Sequence, residues 1–525
     1  MEGKPVSNLP KRRKGKKAKI LICAIFLLVQ AYFIFKALYE LNAFALTSYI
    51  IVYFITIITA LNLSLDNRKS SYKLAWITVL ISIPIFGLVC YFMWGKPRQS
   101  KRLKRRIPLI SEMTIPLYKW NPDYPEKLAA TYPDGEKMMK HLNNNGFPVY
   151  GDTSTRYYRL GDDLFPELFE DIKHAKKFIF IEYFIVSEGQ LLTELVNILE
   201  QKAREGVEIK ILYDDFGCIS TLPDNFVSDM KNKNIEAAPF NKVIPVLNNF
   251  YLNYRNHQKI CVIDGNIAYT GGVNLADEYA NLVEAFGHWK DTGIRLEGPG
   301  VWSMTIMFLQ MWQYTKGSKI PGSLEEISAT YAPDKFCENP AGGFVQPFCN
   351  GPCSQNINNT GEHVYLNVIN SAKNYIYITT PYLVLDSEVQ TALIIAARSG
   401  VDVRIITPGI PDKKYVHLVT NSHYGKLLEA GVKIYEYTPG FIHSKSVVCD
   451  DYSCLVGTIN MDFRSFFLHF ENAVWMCGTS SVADVKSDFL ETLDNCCEIS
   501  LESWKKRPVF TKLKQRFLNF FSPLL

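Results

Sequence analysis

The chain has no cysteine pattern of the kind that frames a disulfide-stapled fold: twelve cysteines are scattered through 525 residues. Scattered thiols fit a reducing compartment and therefore a catalytic body that faces the cytoplasm. Cys349 and Cys353 form a lone C-x3-C with no second pair and no histidine at ligand spacing, which argues against a zinc site. A strong excess of one charge is also missing, since the formal net charge is only +5. Fifteen of the 57 Lys and Arg lie in two collars, Lys4 to Lys19 and Lys96 to Arg106, so the remaining body is net acidic. That excludes a general nucleic-acid surface and fits collars set against anionic membrane lipids or marking membrane topology.

Sustained hydrophobicity is scarce after the first hundred residues. Within them lie three apolar stretches, Ile20 to Phe35, Ala43 to Leu61 and Leu74 to Trp94. The second and third are long enough to span a bilayer, and the first is cut short by Lys36. No small-residue cleavage site follows the first apolar core, so it is not read as a signal peptide. Residues 1–106 are thus expected to anchor an integral, multi-pass protein in a cell membrane through two or three helices. Two basic collars on the same side require an even number of crossings, which leaves the count open. Pro84 is expected to kink the third stretch.

One pattern occurs twice. His257-x-Lys259 is followed by Asp264 and then Gly271-Gly272-x-Asn274; His443-x-Lys445 is followed at the same spacing by Asp450 and then Gly457-Thr458-x-Asn460. Alternation around each lysine reads as a strand, so His and Lys two apart project from one face. An imidazole attacks phosphorus or protonates a departing oxygen, an ammonium neutralises phosphate oxygens, and an asparagine amide donates to them. One copy is half a phosphate site. Two copies facing each other place a histidine on each side of phosphorus, as in-line displacement through a phosphohistidine requires.

The candidate set is therefore His257, Lys259, Asp264, His443, Lys445 and Asp450 for catalysis, with Lys259, Asn274, Lys445 and Asn460 on the phosphate. Asp264 and Asp450 complete the motif, yet their odd offset from the lysine points them off its face, which favours a structural role. Asp291 and Glu471 follow the two motifs at similar distances and are candidates to orient the histidines, since such a ring needs its second nitrogen held.

The elements around the motifs also repeat. Ala175 to Ile181 corresponds to Ala372 to Ile378, and Ala203 to Val207 corresponds to Ala397 to Val401. Each half reads strand, helix, strand, then motif strand, which predicts an α/β fold with a mostly parallel sheet. The predicted divisions are a connector at 107–145, a first catalytic domain at 146–330, a second at 331–508, and an amphipathic helix at 509–525 that packs on the body or lies on the bilayer.

The doubled H-x-K-x4-D-x6-G-[GST]-x-N resembles the signature of the phospholipase D superfamily. The surrounding Asn253-Tyr254-Arg255-Asn256-His257, Pro439 to Lys445, Asn460 to Ser465 and Ser522 to Leu525 are similar to the bacterial cardiolipin synthases. The resemblance implies N-terminal transmembrane helices followed by two pseudo-symmetric α/β sandwiches with the site at their seam. It also implies that Glu471 crosses the seam to His257 and Asp291 to His443. Phosphatidyl transfer between two phosphatidylglycerols, with His257 as nucleophile and no metal or other cofactor, is the implied reaction. Gln258 and His469 depart from the usual basic residue and asparagine, which leaves the acceptor open: a second lipid, another alcohol, or water. A nuclease and a silent lipid-binding scaffold are the remaining alternatives, and two intact motifs argue against the scaffold.

Overall fold

The structure, a computed structural model, describes residues 25, 28–32, 35–36, 43–66, 68–95, 101–118, 121–243, 253–317, 324–333, 342–352 and 359–524. Most of the first apolar stretch, the whole first collar and Cys353 lie outside them. The second stretch forms a helix, α1 (Ala43–Ser64), of which Leu46–Ser64 is long and apolar enough to cross a membrane. It is the one such helix among the described residues. The third stretch does not form one continuous spanning helix, which corrects the expectation that it crosses as a single helix; the discontinuity falls at Pro84. It breaks into α2 (Ser70–Ser82) and α3 (Pro84–Cys90), followed by a π turn, Tyr91–Gly95. Pro84 has no N–H to continue the ladder and begins α3 instead. Gly87 lets α3 fold back, since a Cβ there would stand 2.7 Å from the Val79 carbonyl. Tyr72, Trp76, Leu80, Cys90 and Tyr91 form a small core of their own.

The predicted connector has more structure than its mixed composition suggests. It folds into helices at Lys101–Thr114, Asp123–Thr131 and Glu136–Asn144, and Leu128, Met138, Met139 and Leu142 enter the main core. Short helices of this kind draw stability from burying one face, and their period is too brief to read in sequence.

The catalytic body contains two sheets. The first has β1 (Ser154–Tyr158), β2 (Phe178–Tyr183), β3 (Glu208–Asp214), β4 (Glu236–Phe240), β5 (Ile260–Ile263), β6 (Ile267–Gly271) and β7 (Gly293–Glu297), in the order β1-β7-β6-β5-β2-β3-β4. The second has β8 (Phe344–Asn350), β9 (Tyr375–Thr379), β10 (Asp402–Pro408), β11 (Lys433–Tyr437), β12 (Ser446–Cys449), β13 (Ser453–Gly457), β14 (Glu471–Cys477) and β15 (Cys496–Glu498), in the order β15-β11-β10-β9-β12-β13-β14-β8. Removing β15 and reading the second order backwards reproduces the first.

Neither sheet is mostly parallel. Only β2–β3, β3–β4, β9–β10 and β10–β11 are parallel pairs. Crossover helices such as Gln190–Arg204 and Ser387–Arg398 impose those pairs. The motif strands turn back at once in hairpins β5–β6 and β12–β13, which add antiparallel pairs. Asp264 (φ 52°) and Gly265 (φ 70°) make the first turn in the left-handed region, and Asp450 (φ 49°) and Asp451 (φ 59°) the second. The sheets pack through β6 and β7 against β13 and β14, which brings the two motifs to one seam.

Candidate active site

Each motif His-x-Lys precedes its strand and pairs with the other half of the chain. Asn256 forms a parallel bridge with Phe470, and Lys290 with Ile442. The His257 N–H donates to the Phe470 carbonyl at 2.8 Å, and the His443 N–H to the Lys290 carbonyl at 2.7 Å. Residue Glu471 then lies one step beyond Phe470, and Asp291 one step beyond Lys290. Their carboxylates meet the opposite histidines: Glu471 Oε2 is 2.8 Å from His257 Nδ1, and Asp291 Oδ2 is 2.6 Å from His443 Nδ1. With Nδ1–H donated to an acid, Nε2 of each ring is left for chemistry.

Each lysine is buried, with its ammonium hydrogen-bonded to its own motif histidine. Lys259 Nζ donates to the His257 carbonyl at 2.8 Å, and Lys445 Nζ donates to the His443 carbonyl and stands 2.7 Å from His443 Nδ1. Burial lowers Lys259 to about 7 and Lys445 to about 8. It also lowers His257 well below its ordinary value, with Lys259 adding to the effect, and lowers His443 to about 4, with Lys445 opposing Asp291. Burial raises Glu471, against the pull of Lys259. Both imidazoles are therefore neutral before an anion arrives. A phosphate between them restores charge to the lysines and to whichever histidine acts as acid.

The pseudo-equivalent positions Gly272 and Thr458 fit acids of different length. The Thr458 hydroxyl donates to Glu471. A Cβ on Gly272 would fall 2.0 Å from Asp291 Oδ1, so a side chain has no room there.

Asn274 and Asn460 both line the cavity. Asn274 already accepts from the Ile185 N–H at 3.0 Å and donates to the Tyr279 hydroxyl at 2.7 Å. Asn460 Oδ1 is buried with no hydrogen-bond partner among the described residues.

Asp264 and Asp450 do not belong to this site. Asp264 accepts the N–H groups of Lys176, Lys177 and Phe178 at 2.7–3.0 Å, and Asp450 those of Lys373, Asn374 and Tyr375 at 2.6–2.9 Å. Their counting as catalytic is corrected: each anchors the entry to a central strand, as the odd offset implied. On the cavity wall, Phe184 and Tyr279 carried no sequence signal, and His469 showed only as a departure from the usual asparagine. His469 places its ring 5.6 Å from His257, Phe184 lies 4.9 Å from His257, and Tyr279 lies 5.6 Å from His443.

Two clusters among the described residues have metal-ligand character. His257, His469 and Glu471 bring donor atoms within 4.8 Å of one another, but a cation there would compete with the His257–Glu471 hydrogen bond. The acids Glu362, Asp386 and Glu388 surround the Lys69 ammonium at 2.7, 3.0 and 3.2 Å.

A family profile described as "Cardiolipin synthase, PLD-like domain" matches residues 168–286 and 365–493, one segment on each motif. Cardiolipin synthase 2 of Bacillus anthracis is 36% identical over 463 residues, 88% of either chain. The chain belongs to the cardiolipin synthase family of phospholipase D-type phosphatidyltransferases.

A cardiolipin synthase of a Geobacillus strain is 35% identical over 88% of this chain and 91% of its own, and an uncharacterised protein of Streptococcus mutans is 40% identical over 86% and 96%. A second profile, "Phospholipase_D-nuclease N-terminal", matches residues 51–96, so the family's N-terminal region takes in α1 to α3. Among solved structures, a phosphatidylserine synthase of Haemophilus influenzae superposes with a TM-score of 0.57 at 14% identity, covering 74% of this chain and 99% of its own. That likeness concerns the fold alone.

Proposed function

We propose that this family member joins two phosphatidylglycerol molecules into cardiolipin and glycerol through a phosphatidyl-histidine. The reading rests on one observation above the others: two buried histidines at one seam, each held at Nδ1 by a carboxylate from the opposite half, with a buried lysine hydrogen-bonded to each. His257 Nε2 attacks phosphorus, forming the P–N bond as the P–O bond to glycerol breaks. His443 Nε2–H gives its proton to the leaving glycerol oxygen. The terminal hydroxyl of a second phosphatidylglycerol then loses its proton to His443 and attacks phosphorus, which frees His257. Lys259, Lys445 and the Asn460 amide carry the charge on the phosphate oxygens.

Membrane placement follows from the same reading. Residues 1–106 hold the enzyme in the bilayer of a bacterial cell, with α1 as one crossing and the stretch Ile20 to Phe35 as the candidate for a second, and the domains at 146–330 and 331–508 face the cytoplasm. The unpaired cysteines of the described body support that side.

The test uses the full chain in phosphatidylglycerol vesicles, with products separated by mass. Cardiolipin and glycerol in equal amounts from wild type, and neither from His257→Ala, is the expected result. Phosphatidic acid as the main product overturns the lipid-acceptor reading and makes water the acceptor.

A further inference from the structure

The two histidines and two lysines account for one phosphate, the one that reacts. Joining two phosphatidylglycerols places a second, unreacting phosphodiester one glycerol away from it. This inference therefore rests on the proposed reaction and asks where that second phosphate sits. The cavity, of about 640 Å³, is larger than a single phosphate needs and continues from the histidines past Tyr382 to Lys413 and Arg464. Its outer wall is Tyr72 and Trp76 of α2, with Pro523 beside them.

Two observations make this end a built site. First, α2 is fixed on it. The Tyr72 ring stacks on Phe463 at 5.6 Å and 3°, and Lys69 enters the acidic cluster of Glu362 and Asp386 on the second half. Second, the end offers donors beside ring surface. Trp76, 6% exposed, contributes ring surface rather than a donor, packed edge-on against Tyr91 at 5.5 Å. Lys413 stands 5.0 Å over the Tyr382 ring, half exposed to the cavity mouth. Arg464 lines the same end, its guanidinium lowered by burial and raised in part by Asp462 beside it.

Two carboxylates share the end and are already engaged. Asp412 accepts from the Tyr382 hydroxyl at 2.7 Å and lies 3.3 Å from Lys413; Asp462 accepts the Ser465 N–H at 2.8 Å. The rings of Tyr382, Phe441 and His443 run in sequence at 6.5 and 5.6 Å, so this end adjoins the histidine assigned as base.

We propose that this end is an acceptor subsite for a second phospholipid: Lys413 and Arg464 hold its phosphodiester, and Tyr72 and Trp76 hold its glycerol backbone and lead its chains toward the bilayer. The N-terminal region is then part of the substrate site as well as an anchor.

The test measures two products from one vesicle reaction, cardiolipin and phosphatidylglycerol that has incorporated labelled glycerol. Glycerol exchange runs the donor half-reaction forwards and back without an acceptor phosphate. Lys413→Gln and Trp76→Ala are each expected to lower the ratio of cardiolipin to exchange about tenfold, the first by loss of a charge-assisted hydrogen bond and the second by loss of buried apolar contact. Arg464→Lys retains part of the ratio, and Lys433→Gln, in a surface ion pair with Asp402, changes neither product. Parallel loss of both products overturns the subsite, because the residues then serve the fold or the shared catalytic pair. A second measurement does not depend on the reaction: diazirine-bearing phosphatidylglycerol is photolysed with the His257→Ala protein. Labelling of the Tyr72–Trp76 segment is expected, and its absence overturns the subsite whatever product the wild type makes. A wild type that yields neither cardiolipin nor exchange sinks the proposed reaction instead.

Discussion

Glu471 Oε2 of the second half lies 2.8 Å from Nδ1 of His257 in the first half, and Glu471 is fully buried there. Its counterpart Asp291 stands likewise against His443, in the opposite direction. Neither half can orient its own histidine, so the two domains form one catalytic unit. Replacing an acid by its amide keeps the shape and changes which ring nitrogen carries the proton. Glu471→Gln and Asp291→Asn are each expected to lower kcat by about 10²–10⁴ with little change in thermal unfolding. A loss that merely tracks a lowered melting temperature would show the pairs to be structural.

The roles of the two histidines separate in a trapping experiment. Without a base the second step stalls, while the first proceeds slowly with a good leaving group. His443→Asn incubated with a p-nitrophenyl phosphatidyl ester is expected to gain the mass of one phosphatidyl group on the peptide that carries His257. The reverse variant, His257→Asn, gains none. An adduct on His443 in that variant exchanges the two assignments.

The pairing of Gly272 with Asp291 and of Thr458 with Glu471 yields a matched pair of variants. In Gly272→Thr the added side chain meets the Asp291 carboxylate, which lies 2.0 Å from a Cβ at that position. Asp291 must move off His443, and kcat is expected to fall by about 10²-fold or more. Thr458→Gly removes one hydrogen bond to a buried acid and leaves space, so its effect is smaller, about tenfold. Equal losses in the two variants would mean that the fit of acid length to neighbour size has no catalytic weight.

Much of the site was legible because its residues lie in two short windows of fixed spacing. His257 and Lys259, and His443 and Lys445, need no knowledge of the fold to be paired. The exchange of Glu471 and Asp291 across the seam came from the resemblance, and the bridges Asn256–Phe470 and Lys290–Ile442 supply its structural cause. The mixed sheets were missed because alternating strands and helices reveal the crossovers, while the tight hairpins at Asp264 and Asp450 reverse the chain in three residues. The docking of Tyr72 on Phe463 spans nearly four hundred residues of sequence, and no local period encodes it. His469 read as a departure from the usual asparagine, and only the folded chain shows its ring facing His257.

The placement of Asp264 and Asp450 outside the cavity is open to a direct check. Each carboxylate satisfies three backbone N–H groups at the start of β2 or β9. Asp264→Ala leaves those donors to water and frees a left-handed turn that aspartate tolerates better than alanine. The expected cost is about 1–3 kcal/mol of stability, with kcat per folded molecule retained. Read by denaturant unfolding beside a rate normalised to folded protein, a kcat loss without a stability loss would return Asp264 to the chemistry.

The lysines set the alkaline limit of the enzyme. Both must be protonated to receive a phosphodiester, and burial lowers Lys259 to about 7 and Lys445 to about 8. In the free enzyme kcat/KM is therefore expected to fall as pH rises through 7 to 9. A bound phosphate favours the charged lysines, so the same limb in kcat lies at higher pH. Stability moves the other way. A lysine whose folded pKa lies below its ordinary value of 10.5 binds fewer protons in the native chain than in the unfolded one across that window. The slope of unfolding free energy with pH is then positive from about 7 to 10, and these two residues contribute stability that grows as activity declines. Lys445→Met is expected to abolish turnover and to flatten part of that slope. Profiles of kcat/KM and of melting temperature between pH 6 and 9 check both signs, and a kcat/KM that stays level to pH 9 would mean that the lysines keep their ordinary pKa in the site.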